Sequence, residues 1–193
     1  MAWQGSRKDF IKEFGAYVHK VTKGTGILPG TLIAQLFLES SKGPVVGGSK
    51  LSQEANNYFG IKCGPNWDGP KYYIDTREVF NGQSTTVNAC FRKYGSIKDS
   101  IQDYVLFLQE NPRYRNAGVF KAKTVKEQAQ ALKAAGYATA PSYAKLVYDV
   151  YKPYAQLIDD QKTLLAGFNI KKTLGAVLLA VSATIIYNQI TEK

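Results

Sequence analysis

The stretch from Leu28 to Gly43 constrains the fold most, because it predicts a buried helix that ends on a carboxylate. Pro29 suits the first helical position, where its missing N–H would find no partner in any case. The apolar residues that follow recur at three- and four-residue spacing, as on the buried face of a core helix: Leu32, Ile33, Leu36 and Phe37. Glu39 comes after this face and immediately before the helix-breaking segment 40–44. The pattern predicts a partly desolvated carboxyl group that solvent can still reach.

A carboxyl group in such a place is a candidate acid catalyst. Desolvation disfavours the charged form and raises the pKa, and a carboxylic acid that stays protonated near neutral pH can protonate the leaving oxygen of a glycoside. Glutamates near helix ends are more often solvated surface residues. This stretch alone leaves both interpretations of Glu39 open.

The rest of the chain predicts a mainly α fold of the α+β class, in which one small sheet interrupts a series of short helices. Turn signals at residues 67–70 and at Asn81-Gly82 flank segments rich in Tyr, Ile, Val and Thr, which predicts an antiparallel β-hairpin lobe. Glu78 lies near the end of the first strand. Periodicity predicts helices at residues 9–23, 28–40, 51–57, 96–110, 124–136 and 143–159, and strands at 71–80 and 84–91.

The length of 193 residues fits one domain with a short appendage. We assign the domain to residues 1–159 and a C-terminal extension to 160–193. The extension holds an uncharged stretch from Leu174 to Tyr187, which predicts a hydrophobic C-terminal helix. The uncharged residues 173–190 would form a helix roughly 27 Å long, which is marginal for crossing a bilayer. A membrane anchor and a helix that packs against a partner protein are both open.

The cysteine and histidine content excludes several kinds of site. Cys63 and Cys90 are too few and too far apart for a self-contained zinc site, and a disulfide that closes the root of the hairpin is predicted, with a free pair as the alternative. His19 is the sole histidine and lies on a predicted amphipathic helix, where we expect a surface residue. A Ser-His-Asp or Cys-His centre is therefore excluded unless His19 serves it.

The charge balance predicts a polyanionic partner. Lys and Arg number 25 against 15 Asp and Glu, which gives a formal net charge of +10. Nucleic acid, an anionic membrane and an anionic cell wall would all fit, but the motifs of known nucleic-acid-binding modules are absent from the sequence, so we expect no nucleic acid. Charges at Arg7, Lys8 and Asp9 exclude a conventional signal peptide at the start of this sequence, so export would need another route.

Several short segments, taken in chain order, carry a more specific pattern. They are Leu38-Glu39-Ser40, Asn56-Asn57-Tyr58-Phe59-Gly60-Ile61-Lys62, Trp67-Asp68-Gly69-Pro70, Thr76-Arg77-Glu78, Phe91-Arg92-Lys93-Tyr94-Gly95-Ser96, Asp103-Tyr104 and Gly136-Tyr137-Ala138-Thr139. Their order and gaps resemble those of the glucosaminidases of glycoside hydrolase family 73, which include flagellar peptidoglycan hydrolases and many autolysins. The resemblance covers about residues 9–157.

This resemblance implies a lysozyme-like helical domain with a small β-lobe, and cleavage of the β-1,4 bond after N-acetylglucosamine in peptidoglycan. It implies that Glu39 is the general acid, that Glu78 is a second carboxylate on the β-lobe, and that Tyr137 lines the site beside the acid. It also implies that the walls of the substrate groove are formed by Asn57, Tyr58, Phe59 and Trp67. Peptidoglycan strands would be the partner, the cell envelope or the extracellular space the place of action, and no metal or organic cofactor is expected.

The chain also departs from the family pattern at two places. Ala140 stands before Pro141 where many members carry an acidic residue, and Ser41 follows Glu39-Ser40 where glycine is usual. Neither departure removes a carboxylate. Two alternatives are open: a lytic transglycosylase on a related fold, and a non-catalytic glycan-binding component of a phage tail or secretion apparatus.

Overall fold

The computed structural model describes residues 1–80 and 83–162, except for the side chains of 77–80, 83 and 84. The elements are α1 (Arg7–Thr22), α2 (Pro29–Ser40), α3 (Lys50–Ala55), β1 (Lys71–Phe80), β2 (Gln83–Arg92), α4 (Ile97–Glu110), α5 (Pro112–Asn116), a 3₁₀ turn (Val119–Lys121), α6 (Val125–Ala134), α7 (Tyr143–Tyr151) and a second 3₁₀ turn (Lys152–Tyr154). The predicted helical body with one antiparallel hairpin is confirmed. The predicted turn at Asn81-Gly82 and the predicted helix from Leu174 to Tyr187 lie outside the described residues. Over the part that is described, every helix is too short or too polar to cross a membrane.

Helix α2 is the centre of the body. Nine of its twelve residues are buried, and the helix begins at Pro29 as predicted. The ring of Phe37 packs edge-on against Phe10 of α1, with 5.4 Å between centroids. On the other side α7 approaches so closely that a Cβ on Gly30 would lie 2.6 Å from the ring of Tyr151. This packing on both sides holds α2, and therefore the end of α2, in a fixed position.

The hairpin is fastened at its root. Strands β1 and β2 pair from Lys71 opposite Arg92 to Phe80 opposite Gln83. The predicted disulfide between Cys63 and Cys90 is present, with 5.4 Å between the Cα atoms, and the Cys63 N–H donates to the Cys90 carbonyl at 2.9 Å. The segment before the lobe is thereby joined to β2 covalently and by the backbone.

Breaking this disulfide is expected to lower the free energy of unfolding by about 3–4 kcal/mol, because it closes a loop of 27 residues in the unfolded chain. Urea titration of the Cys63→Ser, Cys90→Ser double variant measures the loss, and the m-value should rise as the unfolded state expands. The parent in reductant serves as the control and should behave like the variant. Identical midpoints for parent and variant would contradict the prediction.

The last part of the body differs from the prediction in two ways. The helix predicted at 143–159 is interrupted by the 3₁₀ turn at Lys152–Tyr154, which contains Pro153, a residue without a backbone donor. Helical conformation resumes over 155–162, where Gln161 is buried against Gly15. The surface position predicted for His19 is wrong, because its ring is partly buried and Nε2 bonds with the Ile158 carbonyl at 2.7 Å.

Candidate functional site

Glu39 lies where the sequence placed it, in the last turn of α2, and it is the one exposed residue of that helix. Although solvent reaches the side chain, the surrounding protein is dense enough that burial raises the pKa of its carboxyl group. The two observations agree if the carboxyl group stands in a cleft, open to solvent on one side and desolvated on the others. Glu39 is therefore able to hold a proton at a higher pH than an ordinary glutamate.

A cluster of tyrosines surrounds the end of α2. The ring of Tyr137 lies 6.2 Å from that of Tyr104 and 6.0 Å from that of Tyr143, measured between centroids. Burial raises the pKa of all three hydroxyl groups, and the negative charge of Glu39 raises each of them further. The three phenols are therefore neutral near pH 7, so they desolvate the neighbourhood of the carboxyl group without bringing a charge to it.

Gln35 connects this cluster to helix α2. It is fully buried one helical turn before Glu39, so both side chains leave α2 on the same face. Its amide Nε2 donates to the Tyr143 hydroxyl at 2.6 Å, and its Oε1 accepts a short hydrogen bond from the Tyr104 hydroxyl. Sequence reasoning does not single out Gln35, although the one amide among the mostly apolar residues of a core helix is a signal that could have done so.

Tyr137 is set by the turn that follows α6. Gly136 adopts the left-handed conformation with φ at +77°, and the Tyr137 N–H donates to the Leu132 carbonyl at 3.0 Å. The side chain is partly exposed, and its hydroxyl makes only a long bond of 3.4 Å to the Phe59 carbonyl. The hydrogen-bonding capacity of this hydroxyl is therefore only weakly used within the protein.

Three of the residues predicted to form groove walls are interior residues instead. Asn57 is 1% exposed, Tyr58 0% and Phe59 3%. The Asn57 amide bonds the Ile61 and Arg92 carbonyls, the Tyr58 hydroxyl donates to the Trp3 carbonyl at 2.8 Å, and the Phe59 ring stacks on Tyr104 at 4.1 Å. The prediction that these side chains contact substrate is wrong, because each has its polar atoms or its ring face occupied within the protein.

Trp67 belongs to the root of the hairpin. Its indole N–H donates to the Pro70 carbonyl at 3.0 Å, and the Arg92 guanidinium lies 4.5 Å from the ring centroid. Arg92 in turn pairs with Asp103 at 2.9 Å, and Asp103 accepts from the Tyr94 hydroxyl at 2.6 Å. The contacts described for Trp67 are all within this group, so the structure does not bring it to the cluster around Glu39.

Glu78 lies in β1, where its backbone pairs with Thr85, two pairs from the Phe80 and Gln83 pair that ends the described ladder. This agrees with the predicted place near the end of the first strand. The role of Glu78 as a second carboxylate stays a prediction.

The described residues include no group of three or more His, Cys, Asp or Glu that could hold a metal ion. The surface has two open cavities. One, of about 420 Å³, is lined by Lys50, Tyr73, Ile74, Asp75 and Asn88. The other, of about 390 Å³, is lined by Gln130, Lys133, Ala134, Pro141 and Ala144. Neither includes Glu39, so the chemistry of the side chains, rather than cavity size, locates the candidate site. A carboxyl group of raised pKa beside neutral phenols suits general acid catalysis.

Comparison with known proteins also indicates a glycoside hydrolase. The profile of the family described as "Glucosaminidase: Mannosyl-glycoprotein endo-beta-N-acetylglucosaminidase" matches residues 15–156. The peptidoglycan hydrolase FlgJ of Escherichia coli K12 is 34% identical over 155 residues, which cover 80% of this chain and 49% of that protein. The exo-glucosaminidase LytG of Bacillus subtilis is 34% identical over 148 residues, which cover 75% of this chain and 50% of that protein. The chain thus spans about half the length of these relatives.

Solved structures resemble the fold over a similar span. The glycoside hydrolase domain of Salmonella typhimurium FlgJ, truncated at its C-terminus, aligns with a TM-score of 0.58 at 32% identity and covers 78% of this chain and 99% of that one. The catalytic domain of the autolysin Auto from Listeria monocytogenes aligns with a TM-score of 0.66 at 27% identity and covers 82% of this chain and 90% of that one.

Proposed function

The chain belongs to the glucosaminidase family, and from that membership we propose that it is a peptidoglycan hydrolase, an endo-β-N-acetylglucosaminidase with Glu39 as its general acid. It would cleave the β-1,4 bond after N-acetylglucosamine in the glycan strands of the bacterial cell wall. The observation that carries the proposal is the solvent-accessible carboxyl group of raised pKa at the end of a buried helix. The relatives named peptidoglycan hydrolase and glucosaminidase support the substrate class.

The proton balance follows from the roles of two carboxyl groups. Protonated Glu39 gives its proton to the bridging oxygen as the bond to the anomeric carbon breaks, and positive charge develops on the N-acetylglucosamine ring. A water molecule then attacks that carbon and loses a proton to a base, a role we propose for Glu78. Glu39 is left as a carboxylate and takes up a proton from solvent before the next turnover, while Glu78 releases to solvent the proton that it took from the water. The partly exposed Tyr137 would contact the sugar beside the acid.

The +10 net charge supports a wall substrate as well. Wall polymers are anionic, so a basic enzyme gains encounter rate and residence time on them in a manner that salt weakens. We therefore place its action on the cell wall. Anchoring by the segment from Leu174 to Tyr187 and the route of export stay predictions.

Substitution of Glu78 by glutamine is expected to reduce activity less than substitution of Glu39, because the acetamido group of the substrate is able to share the task of the second carboxylate. Initial rates on soluble glycan strands measure both variants. Asp75→Asn, an exposed carboxylate on the same strand, is the matched control and should retain the parent rate. If Glu78→Gln also retains the full rate, Glu78 has no part in the mechanism.

Mass spectrometry of muropeptides released from purified sacculi tests the function as a whole. New N-acetylglucosamine reducing ends would support hydrolysis, and their distribution over strand length separates internal from terminal cleavage. Anhydromuramic ends would instead identify a lytic transglycosylase. Binding to sacculi with no released product would favour the glycan-binding alternative.

A further inference from the structure

A cation stands beside the turn that carries Tyr137. Arg113 is an exposed residue of α5, and its Nη1 lies 4.0 Å from where a Cβ on Gly136 would be. Gly136 directly precedes Tyr137, whose ring lies among the tyrosines around Glu39. The guanidinium is therefore at the rim of the candidate site.

Contacts with the neighbouring Tyr114 fix the position of this guanidinium. Its Cζ lies over the buried ring of Tyr114, 4.7 Å from the centroid, and Nη2 donates to the Tyr114 hydroxyl at 2.7 Å. The Tyr114 ring is in turn 6.4 Å from that of Tyr137. A cation–π contact and one hydrogen bond hold the group in place, and the exposed side chain leaves its other donors to solvent.

The charge of Arg113 has no counterpart within the described part of the chain, where no carboxylate lies at ion-pair distance from it. A guanidinium that is held in place and has unused donors is suited to bind a carboxylate through two parallel hydrogen bonds. Peptidoglycan offers such groups at regular intervals. Every second sugar carries a lactyl group whose carboxyl is either free or joined to a peptide stem, and the stem bears carboxylates of its own.

Building on the proposed function, we propose that Arg113 is a specificity-determining residue that binds a carboxylate of the muramyl unit, on the lactyl group or on the peptide stem, next to Tyr137. It would distinguish wall glycan from neutral polymers of N-acetylglucosamine, which lack these carboxylates. The sugar that bears the carboxylate would thereby be set in register with Glu39.

The test measures binding in the Glu39→Gln background, so that the result does not depend on cleavage. Soluble strands of matched length are prepared with stems, without stems, and with all carboxylates converted to amides, and free amines are acetylated in every preparation. Arg113→Gln should weaken binding to native strands roughly three- to tenfold and leave binding to amidated strands unchanged. Arg113→Lys keeps the charge but not the planar fork, so its affinity for native strands should lie between that of the Glu39→Gln background and that of Arg113→Gln.

Two controls separate recognition from structure. Arg115→Gln removes an equally exposed cation two residues further along α5, on another side of the helix, and should leave binding within about twofold of its background. Thermal unfolding shows whether the packing of Tyr114 survives in Arg113→Gln. A loss that persists on strands without stems assigns the lactyl carboxylate, and a loss confined to strands with stems assigns the peptide.

Equal weakening on native and amidated strands, or no weakening at all, would overturn the inference. Either result can be obtained whether or not the protein cleaves the wall, because the acid is absent from every variant compared. Failure of the proposed function would appear separately, as the absence of released reducing ends from the parent protein.

Discussion

Replacement of Glu39 by glutamine should reduce the release of reducing ends from glycan strands by about 10²–10⁴-fold, the range that a positioned general acid contributes. Glutamine keeps the size and polarity of the side chain but has no proton to give to the bridging oxygen. Because Glu39 is the exposed residue of α2, the change leaves the buried packing of that helix intact. Initial rates on soluble strands measure the effect, and sedimentation with sacculi should show that wall binding is retained.

The pH dependence of activity is an independent check on Glu39 as the general acid. Glu39 acts in its protonated form, and burial raises its pKa above the ordinary glutamate value of 4.5, so activity should be lost on the alkaline side at a higher pH than an ordinary glutamate would give. The same raised pKa also makes the folding stability depend on pH. A carboxyl group whose pKa is higher in the folded state costs stability as pH rises from the unfolded to the folded pKa, so Glu39→Gln should gain stability over the parent across that window.

A residual rate in Glu39→Gln that keeps the parent's alkaline limb would assign that limb to another group. Wall clearing equal to the parent's would remove Glu39 from the role of acid. A parent that binds sacculi but releases nothing would leave the fold with a binding function only. These outcomes differ in activity, in pH profile and in binding, so one set of purified proteins distinguishes them.

The sequence predicts the backbone of this site better than its side-chain environment. The helix that ends at Glu39 follows from local periodicity and a proline at its start, and the first strand of the hairpin is predicted at Lys71–Phe80, as observed. Both depend on short-range preferences, of 3.6 residues per turn and of alternation along a strand. They place Glu39 and Glu78 on elements, but they carry no information on what surrounds them.

The errors arise where a partner is distant in sequence. The aromatic and amide-rich segment 56–62 is equally typical of a sugar groove and of a core with satisfied polar groups, and only the structure shows that the Tyr58 hydroxyl bonds a carbonyl 55 residues away. Gln35 bonds tyrosines that are 69 and 108 residues away. No pattern within one helix predicts such contacts.

Substitution of Gln35 by methionine is expected to have the second largest effect, on stability and on catalysis together. Methionine fills a similar volume but leaves the buried hydroxyl groups of Tyr104 and Tyr143 without their partner, which should lower the free energy of unfolding by about 2–4 kcal/mol. If the two rings shift, Glu39 loses part of its desolvated setting. The rate should then fall roughly ten- to hundredfold, with the alkaline limb of the pH profile displaced toward lower pH.

Gln128→Met separates this effect from general destabilisation. Gln128 is another fully buried glutamine, and it bonds the Leu28 N–H and the carbonyls of Gly26 and Val119, at the opposite end of α2 from Glu39. Its loss should cost similar stability and leave the pH profile where it is.

Adding Tyr104→Phe and Tyr143→Phe to Gln35→Met removes the unpaired hydroxyls and should restore much of the stability, because removing both partners of a buried bond is nearly neutral. If Gln35→Met moved the pH profile no more than Gln128→Met does, the role of Gln35 would be limited to stabilising the fold. The pKa of Glu39 would then be set by the tyrosine rings and not by their hydrogen bonds to Gln35.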